Sequence, residues 1–417
     1  MKGILVIADG LGGRPTDMDG LTCLEQAETP VLDGLAERGA LGLMDPIGPG
    51  VRPGSDTAHL SLLGYNPYEL YTGRGVYECL GIGMDVQAGD ICFRANFASV
   101  EPRGDELIVT DRRAGRINEG QAELASAINA FDLETVPGVT FDFRASTGHR
   151  GALLLRGERL SRHVGENDPH ETDLPAHAFE PLPGYEKDEA ARRTAAALNE
   201  FAAKAHDALQ GHPVNVERRN AGKAPANYVL ARGAADCPHI PSIESIYGVR
   251  GAVIAGGALY KGVALACGMT AVDVPSATGG LDTDLGAKAR AALEALTIHD
   301  YVFVHIKGTD NAGHDSDAEG KRAFIERIDR EFFRPLIAGI DRTRTHMAFT
   351  GDHCTPIDYG DHTVEPVPVL MVGPNVVVDA STEFGEAAAG LGGLGRWSGR
   401  LLPMVLGACN WAPKFGS

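Results

Sequence analysis

Residues 1–10 read MKGILVIADG, and the fold turns on how that stretch is taken. The apolar run is only ILVIA, with an aspartate directly behind it, so it is too short and too quickly ended for a secretory leader. It suits a strand buried on both faces, as in the middle of a parallel sheet. The same grammar recurs far along the chain. YVFVHI (301–306) leads through KGT to Asp310, HMAFT (346–350) ends at Gly351, Asp352 and His353, and VPVLMVG (367–373) follows closely on His362. Helical patterns separate these runs, at 29–39, 188–210, 283–296 and 321–333. Strands alternating with helices predict an α/β fold built on a doubly wound, mainly parallel sheet. In such sheets ligands bind beyond the carboxyl ends of the strands, which is where the acids and histidines fall.

The stretch 76–184 has another texture, rich in Gly, Pro, Arg and His, with short strand-like runs at 93–100, 106–110, 139–145 and 151–157. It reads as a smaller α+β domain (76–184) inserted into a discontinuous core (1–75 and 185–417). HPVNVERRNAGKAPANYVLARG (212–233) is expected to return to the core, with NYVLA as a strand. GLGGLGRW (390–397) is expected to be a flexible loop.

A net charge of −18 over 417 residues argues against a nucleic-acid partner. No apolar run approaches the roughly 18–20 residues of a membrane span, so no membrane partner is expected. Seven scattered cysteines without a CxxC pair predict reduced thiols in a cytoplasmic protein. Nothing here bears on oligomeric state.

VRPGSDTAHL (51–60) places Ser55 after Pro-Gly and before an apolar helix. Serine there is a natural helix cap, but a helix start also favours negative charge. With Asp9, Asp310, His314 (four after Asp310), Asp352, His353 and His362, Ser55 completes a set of seven oxygen and nitrogen ligands without a thiolate. Such a set suits Mn²⁺, Zn²⁺, Co²⁺ or Mg²⁺, and Asp9, Asp310, Asp352, His353 and His362 should converge on one edge of one sheet. Taken singly, each aspartate is as easily a turn residue and each histidine a core residue. Two cations can clamp a phosphoryl group in transfer, and a serine beside them loses its proton readily. The joint pattern therefore predicts Ser55 as a metal-activated nucleophile.

PGSDTAHLSLLGYNPYELYTGRG (53–75), DRRAGRI (111–117), HPVN…APAN (212–227), SIYGVRGAVIAGGALYKGVA (245–264), KGTDNAGHD (307–315) and TGDHCTP (350–356) together resemble the archaeal-type, cofactor-independent phosphoglycerate mutases of the alkaline phosphatase superfamily. The resemblance runs in order over nearly the whole chain. It implies an alkaline-phosphatase-like core, an inserted substrate-capping domain, two divalent ions (Mn²⁺ foremost) and no 2,3-bisphosphoglycerate. It implies a phosphoserine at Ser55, with Asp310, His314 and His362 on one ion and Asp9, Ser55, Asp352 and His353 on the other. Lys261 matches a family lysine near the phosphoryl group. Arg113, Arg116, His149 and Arg150 are the implied grips on a small phosphorylated carboxylic acid, and Asp168 and His170 are implied to handle protons. The implied reaction interconverts 3- and 2-phosphoglycerate. A metal-dependent phosphatase, or a phosphotransferase on another small phosphorylated or phosphono acid, would need the same core.

Overall fold

The computed structural model describes residues 1–416, which form two compact units: 1–71 with 240–416, and 72–239. In chain order the strands are β1 (Lys2–Ala8), β2 (Gly39–Asp45), β3 (Ile91–Arg103), β4 (Glu106–Asp111), β5 (Thr140–Ala145), β6 (Arg150–Arg156), β7 (Leu174–Pro175), β8 (Tyr228–Asp236), β9 (Gly251–Ile254), β10 (Thr270–Ala271), β11 (Tyr301–Ile306), β12 (Thr345–Thr350), β13 (Val367–Val372) and β14 (Gly395–Ser398). The helices that matter to the site are α1 (Ser55–Leu62), α2 (Glu189–Gln210), α3 (Pro213–Asn220), α4 (Ala258–Ala266), α5 (Leu285–Ile298) and α6 (Gly308–His314).

The first unit is built on an eight-stranded sheet in the order β10-β9-β11-β1-β12-β13-β2-β14. β1 lies between β11 and β12, parallel to both, and Ile4 to Ala8 are fully buried. A central strand covered on both faces has no wet side, which is why ILVIA shows no alternation. β13 is antiparallel to both of its neighbours, β12 and β2. That reversal matters for the site. β1, β11 and β12 run toward one edge of the sheet, and β13 starts from it. The residues just before β13, His362 among them, therefore lie at the same edge as those just after β1, β11 and β12. The segment expected as a flexible loop is partly strand: β14 adds to the sheet edge parallel to β2. Its glycines obscure the signal, and Arg396 pairs with buried Asp45.

The second unit carries a six-stranded sheet, β5-β6-β3-β4-β7 with β8 also on β3. It extends well past residue 184. β8 contains the NYVLA strand, but it pairs antiparallel with β3 and not with the core sheet. The long α2 buries Ala191, Leu198, Phe201, Ala205 and Leu209 in the cluster that holds Phe93, Phe97 and Phe143. The boundary drawn at 184 and the return of 212–233 to the core are therefore corrected. Periodicity marks a strand and an amphipathic helix but does not say which sheet each one joins.

Asn215 anchors the 212–233 segment within the second unit. It is fully buried on α3, and its amide donates to the carbonyls of Leu209 (2.9 Å) and Ala226 (3.0 Å) and accepts from the Ala226 N–H (2.7 Å). Asn215→Ala would strand these buried backbone groups, at about 3 kcal/mol. Urea unfolding of this variant should show that loss as a lowered midpoint; an unchanged midpoint would refute the anchoring role.

Candidate active site

The chain turns sharply where β1 ends. Asp9 is fully buried, and Gly10 follows with φ +65°, so close to the neighbouring strands that a Cβ there would lie 2.5 Å from Thr355 Oγ1. Glycine at that position lets Asp9 reach the residues after β11 and β12. Asp310 and His314 share one face of α6, the helix that follows β11. Asp352 and His353 follow β12, and both are fully buried.

The side chains meet in two groups. In the first, His314 Nε2 lies 3.3 Å and His362 Nε2 3.7 Å from Asp310 Oδ1. In the second, His353 Nε2 lies 3.3 Å from both Asp9 Oδ1 and Asp352 Oδ2. Ser55 Oγ is 3.2 Å from the same His353 nitrogen. Gly54, not Ser55, caps α1, so the serine is the first residue of the helix and its hydroxyl is not spent on capping.

The outer atoms of these residues are held elsewhere. Gly10 N–H donates to Asp352 Oδ1 (3.0 Å), His314 Nδ1 pairs with the Gly360 carbonyl (2.8 Å), and His362 Nδ1 pairs with the Pro53 carbonyl (2.9 Å). The Thr355 hydroxyl donates to Asp310 Oδ1 (2.9 Å), so it accepts from His353 Nδ1 (3.1 Å). A carbonyl or hydroxyl acceptor at each Nδ1 fixes the tautomer that leaves Nε2 as a lone pair. Asp9 Oδ1 and Asp352 Oδ2 are buried and meet no hydrogen-bond criterion with any described residue. Buried acceptors converging without donors are what a cation site requires, so these residues fit the divalent ions inferred from the sequence.

The electrostatics point the same way. Burial opposes ionisation of Asp9, but Lys307, His305 and His353 override it and hold the carboxyl well below its usual range. Burial and then the Asp9 charge push Asp352 up to about 7. Burial disfavours a charged His353, yet Asp352 and Asp9 raise it to about 9. A cluster of this kind takes up protons unless cations balance it.

Three residues here escaped the sequence reading. Lys307 Nζ lies 2.7 Å from Asp310 Oδ2 and 3.2 Å from Asp9 Oδ2. His305 Nε2 donates to Asp9 Oδ2 (3.1 Å), and His59 Nδ1 to the Ser55 carbonyl (2.6 Å). The signal was present: His305 and Lys307 interrupt or directly follow an otherwise apolar strand. Lys261 is half-buried on α4, with no hydrogen bond or ion pair to any described residue. After burial itself, its charge is what pushes the ammonium of Lys288 on α5 down, to about 8.

In the second unit, Arg113 and His170 line an open cavity of about 500 Å³ with Arg112. Arg116 is exposed at φ +53°. Asp168 is fully buried and held below its usual range, against burial, by Arg112 on both oxygens (2.8 and 2.7 Å) and by Arg232. His170 Nε2 pairs with Glu166 at 2.6 Å. The sequence reading also missed Arg94 and Arg232, opposite one another on β3 and β8, and Arg112. Arg94 Nε and Asn96 Oδ1 are buried without hydrogen-bond partners. The alternation in FRANFASV marks this polar face. Burial, then Arg74, Arg232 and (after Glu78's opposite pull) Arg150 lower Arg94 to about 9. Burial, Arg150, Arg113 and Arg94 lower His149 to about 4.

Two measurements check these clusters. Chelator-treated protein should take up two equivalents of Mn²⁺ or Zn²⁺ and gain about 4 kcal/mol of stability per ion at ligand a thousandfold above Kd. Asp310→Ala and Asp352→Ala should each leave one equivalent, and uptake of none by the unaltered chain would overturn the site. His149 should titrate by NMR near 4, below its ordinary 6.5, and stay neutral at pH 5–8. Inorganic phosphate bound by the arginines would offset their repulsion and raise that value; a titration unmoved by saturating phosphate would count against an anion site there.

A family model described as 2,3-bisphosphoglycerate-independent phosphoglycerate mutase matches residues 36–215. Proteins of that name from Methanopyrus kandleri (46% identical, over 100% of this chain and 98% of the relative) and Pyrococcus furiosus (45%, over 100% and 99%) align end to end. Among solved structures, the PH0037 protein from Pyrococcus horikoshii superposes with a TM-score of 0.85 at 37% identity, over 100% of this chain and 99% of that one. The cofactor-independent phosphoglycerate mutase from Thermoplasma acidophilum gives 0.70 at 35%, over 98% and 100%. The full-length identity, carried by the same chain that builds the two ligand groups around Ser55, places this protein in the family of 2,3-bisphosphoglycerate-independent phosphoglycerate mutases.

Proposed function

We propose that this chain, a cofactor-independent phosphoglycerate mutase, carries the phosphoryl group between the 3- and 2-hydroxyls of glycerate on Ser55. The observation that carries this reading is the Ser55 hydroxyl, 3.2 Å from His353 Nε2 and beside buried carboxylate oxygens that have no donor. Asp310, His314 and His362 would hold one divalent ion, and Asp9, Asp352, His353 and Ser55 the other. Such ions, Mn²⁺ foremost with Zn²⁺, Co²⁺ or Mg²⁺ as alternatives, would supply positive charge that eases loss of the serine proton and balances the phosphoryl oxygens.

Ser55 gives up its proton, and Oγ forms a bond to phosphorus as the bond to the substrate's 3-oxygen breaks. That oxygen leaves as the alcohol after taking a proton. The 2-hydroxyl then attacks the phosphoserine, losing its own proton and freeing Ser55. No described residue accepts from the first-turn amides of Ser55 and Asp56, which suit phosphoryl oxygens. Lys261, an unpaired cation, fits the same group.

Glycerate must be kept while it turns. Arg94, Arg113 and Arg150 act on neutral His149 and Arg232 lies opposite Arg94, a basic cluster in an otherwise acidic protein, and guanidinium forks suit carboxylate and phosphate; exposed Arg116 is a further candidate grip. The committed ion pairs of Asp168 favour orienting Arg112 and Arg232 over moving protons, which leaves His170 with Glu166 as the proton-handling candidate. Seven free thiols, six of them buried, support a cytoplasmic setting. No described helix is long and apolar enough to cross a membrane.

The deciding assay follows 3-phosphoglycerate into 2-phosphoglycerate and free phosphate together. Interconversion should far outrun phosphate release, and Ser55→Ala should slow it by about 10³-fold or more, the scale of losing a covalent nucleophile. Phosphate as the main product would indicate a phosphatase. Near-normal turnover by Ser55→Ala would exclude the phosphoserine.

A further inference from the structure

Each of the two ligand groups contains a carboxylate with one oxygen turned to the group and one turned away. For Asp310 the inner oxygen is Oδ1, near His314 and His362; for Asp9 it is Oδ1, near His353. The outer oxygens, Asp310 Oδ2 and Asp9 Oδ2, are both bound by the one ammonium of Lys307, at 2.7 and 3.2 Å. Lys307 is thus a single side chain that touches both groups.

Its own position is set by packing. Lys307 stands between β11 and α6, three residues before Asp310. Its ammonium lies 5.5 Å from the centre of the Tyr260 ring, a cation–π distance. Tyr260 is buried and stacks on His305 (centroids 3.4 Å apart, 18° between planes). His305 in turn donates to the same outer oxygen of Asp9 (3.1 Å). The side chains of Tyr260, His305 and Lys307 therefore back the carboxylates as one packed layer.

We propose that Lys307 is a positioning residue that locks the two carboxylates together: by occupying the outer oxygens of Asp9 and Asp310, it leaves one inner oxygen of each for an ion and makes the two sites one unit. It also sets the charge. Three carboxylates and two divalent ions leave one net positive charge; Lys307 makes it two, matching a phosphate monoester of roughly −2. This rests on the two-ion reading above, and the test separates the two.

The protein is stripped, loaded with Co²⁺ and followed by its visible absorption, then titrated with inorganic phosphate. The unaltered chain should bind two Co²⁺; if it does not, the two-ion reading fails and this inference with it. Given two ions, Lys307→Met should change the Co²⁺ band, because the freed outer oxygens become available as ligands, and should weaken phosphate binding about tenfold. Lys307→Arg should restore most of the phosphate affinity by restoring the charge, but not the band, because its longer side chain and spread charge do not reproduce the one nitrogen held by both oxygens. If Lys307→Met does not fold, the band of the arginine variant decides. An unaltered band in a folded variant with two Co²⁺ bound leaves the two-ion reading standing and overturns the role of Lys307.

Discussion

Three carboxylates, Asp9, Asp310 and Asp352, sit within one buried cluster at the edge of one sheet. Burying one unbalanced carboxylate costs several kcal/mol, and like charges add to it. Much of the local structure answers that cost. Lys307 bridges two of the three, the Gly10 amide holds the third, and His305 and Thr355 take up further lone pairs. What remains are the inner oxygens of Asp9 and Asp352, to which no described residue donates and which a cation would satisfy. The site is a charge imbalance kept in place by a packed sheet.

The sheet's topology makes the imbalance possible. Parallel strands deliver residues to one edge only at their carboxyl ends. β1, β11 and β12 do this for Asp9, Asp310, Asp352 and His353, and the reversed β13 brings in His362 from its amino end. His362 is then fixed through Nδ1 to the Pro53 carbonyl, two residues before Ser55. The loop carrying Ser55 and the loop carrying His362 are tied by one hydrogen bond.

The second unit meets the complementary need with an excess of positive charge. Arg94, Arg232 and Arg150 lie on adjacent strands, and only Arg232 among them shares Asp168. Burial first, and then the neighbouring guanidinium charges, lower Arg94 and His149.

Runs such as ILVIA and YVFVHI, and the acids behind them, were readable because a strand covered on both faces must be continuously apolar and a polar residue at its end must lie at the sheet edge. Asp9, Asp310, Asp352 and His353 were singled out for that reason, His314 for its spacing after Asp310, and Ser55 for its place at a helix start. Lys307, His305 and His59 were not singled out, since a lysine after a strand or a histidine within one has many unremarkable places to go. Only the tertiary structure decided that β8 and α2 belong to the second sheet, that β13 runs backward, and that Arg94 and Arg232 face one another. Strand pairing is a choice among partners distant in sequence, and its energy lies in contacts that no local pattern encodes.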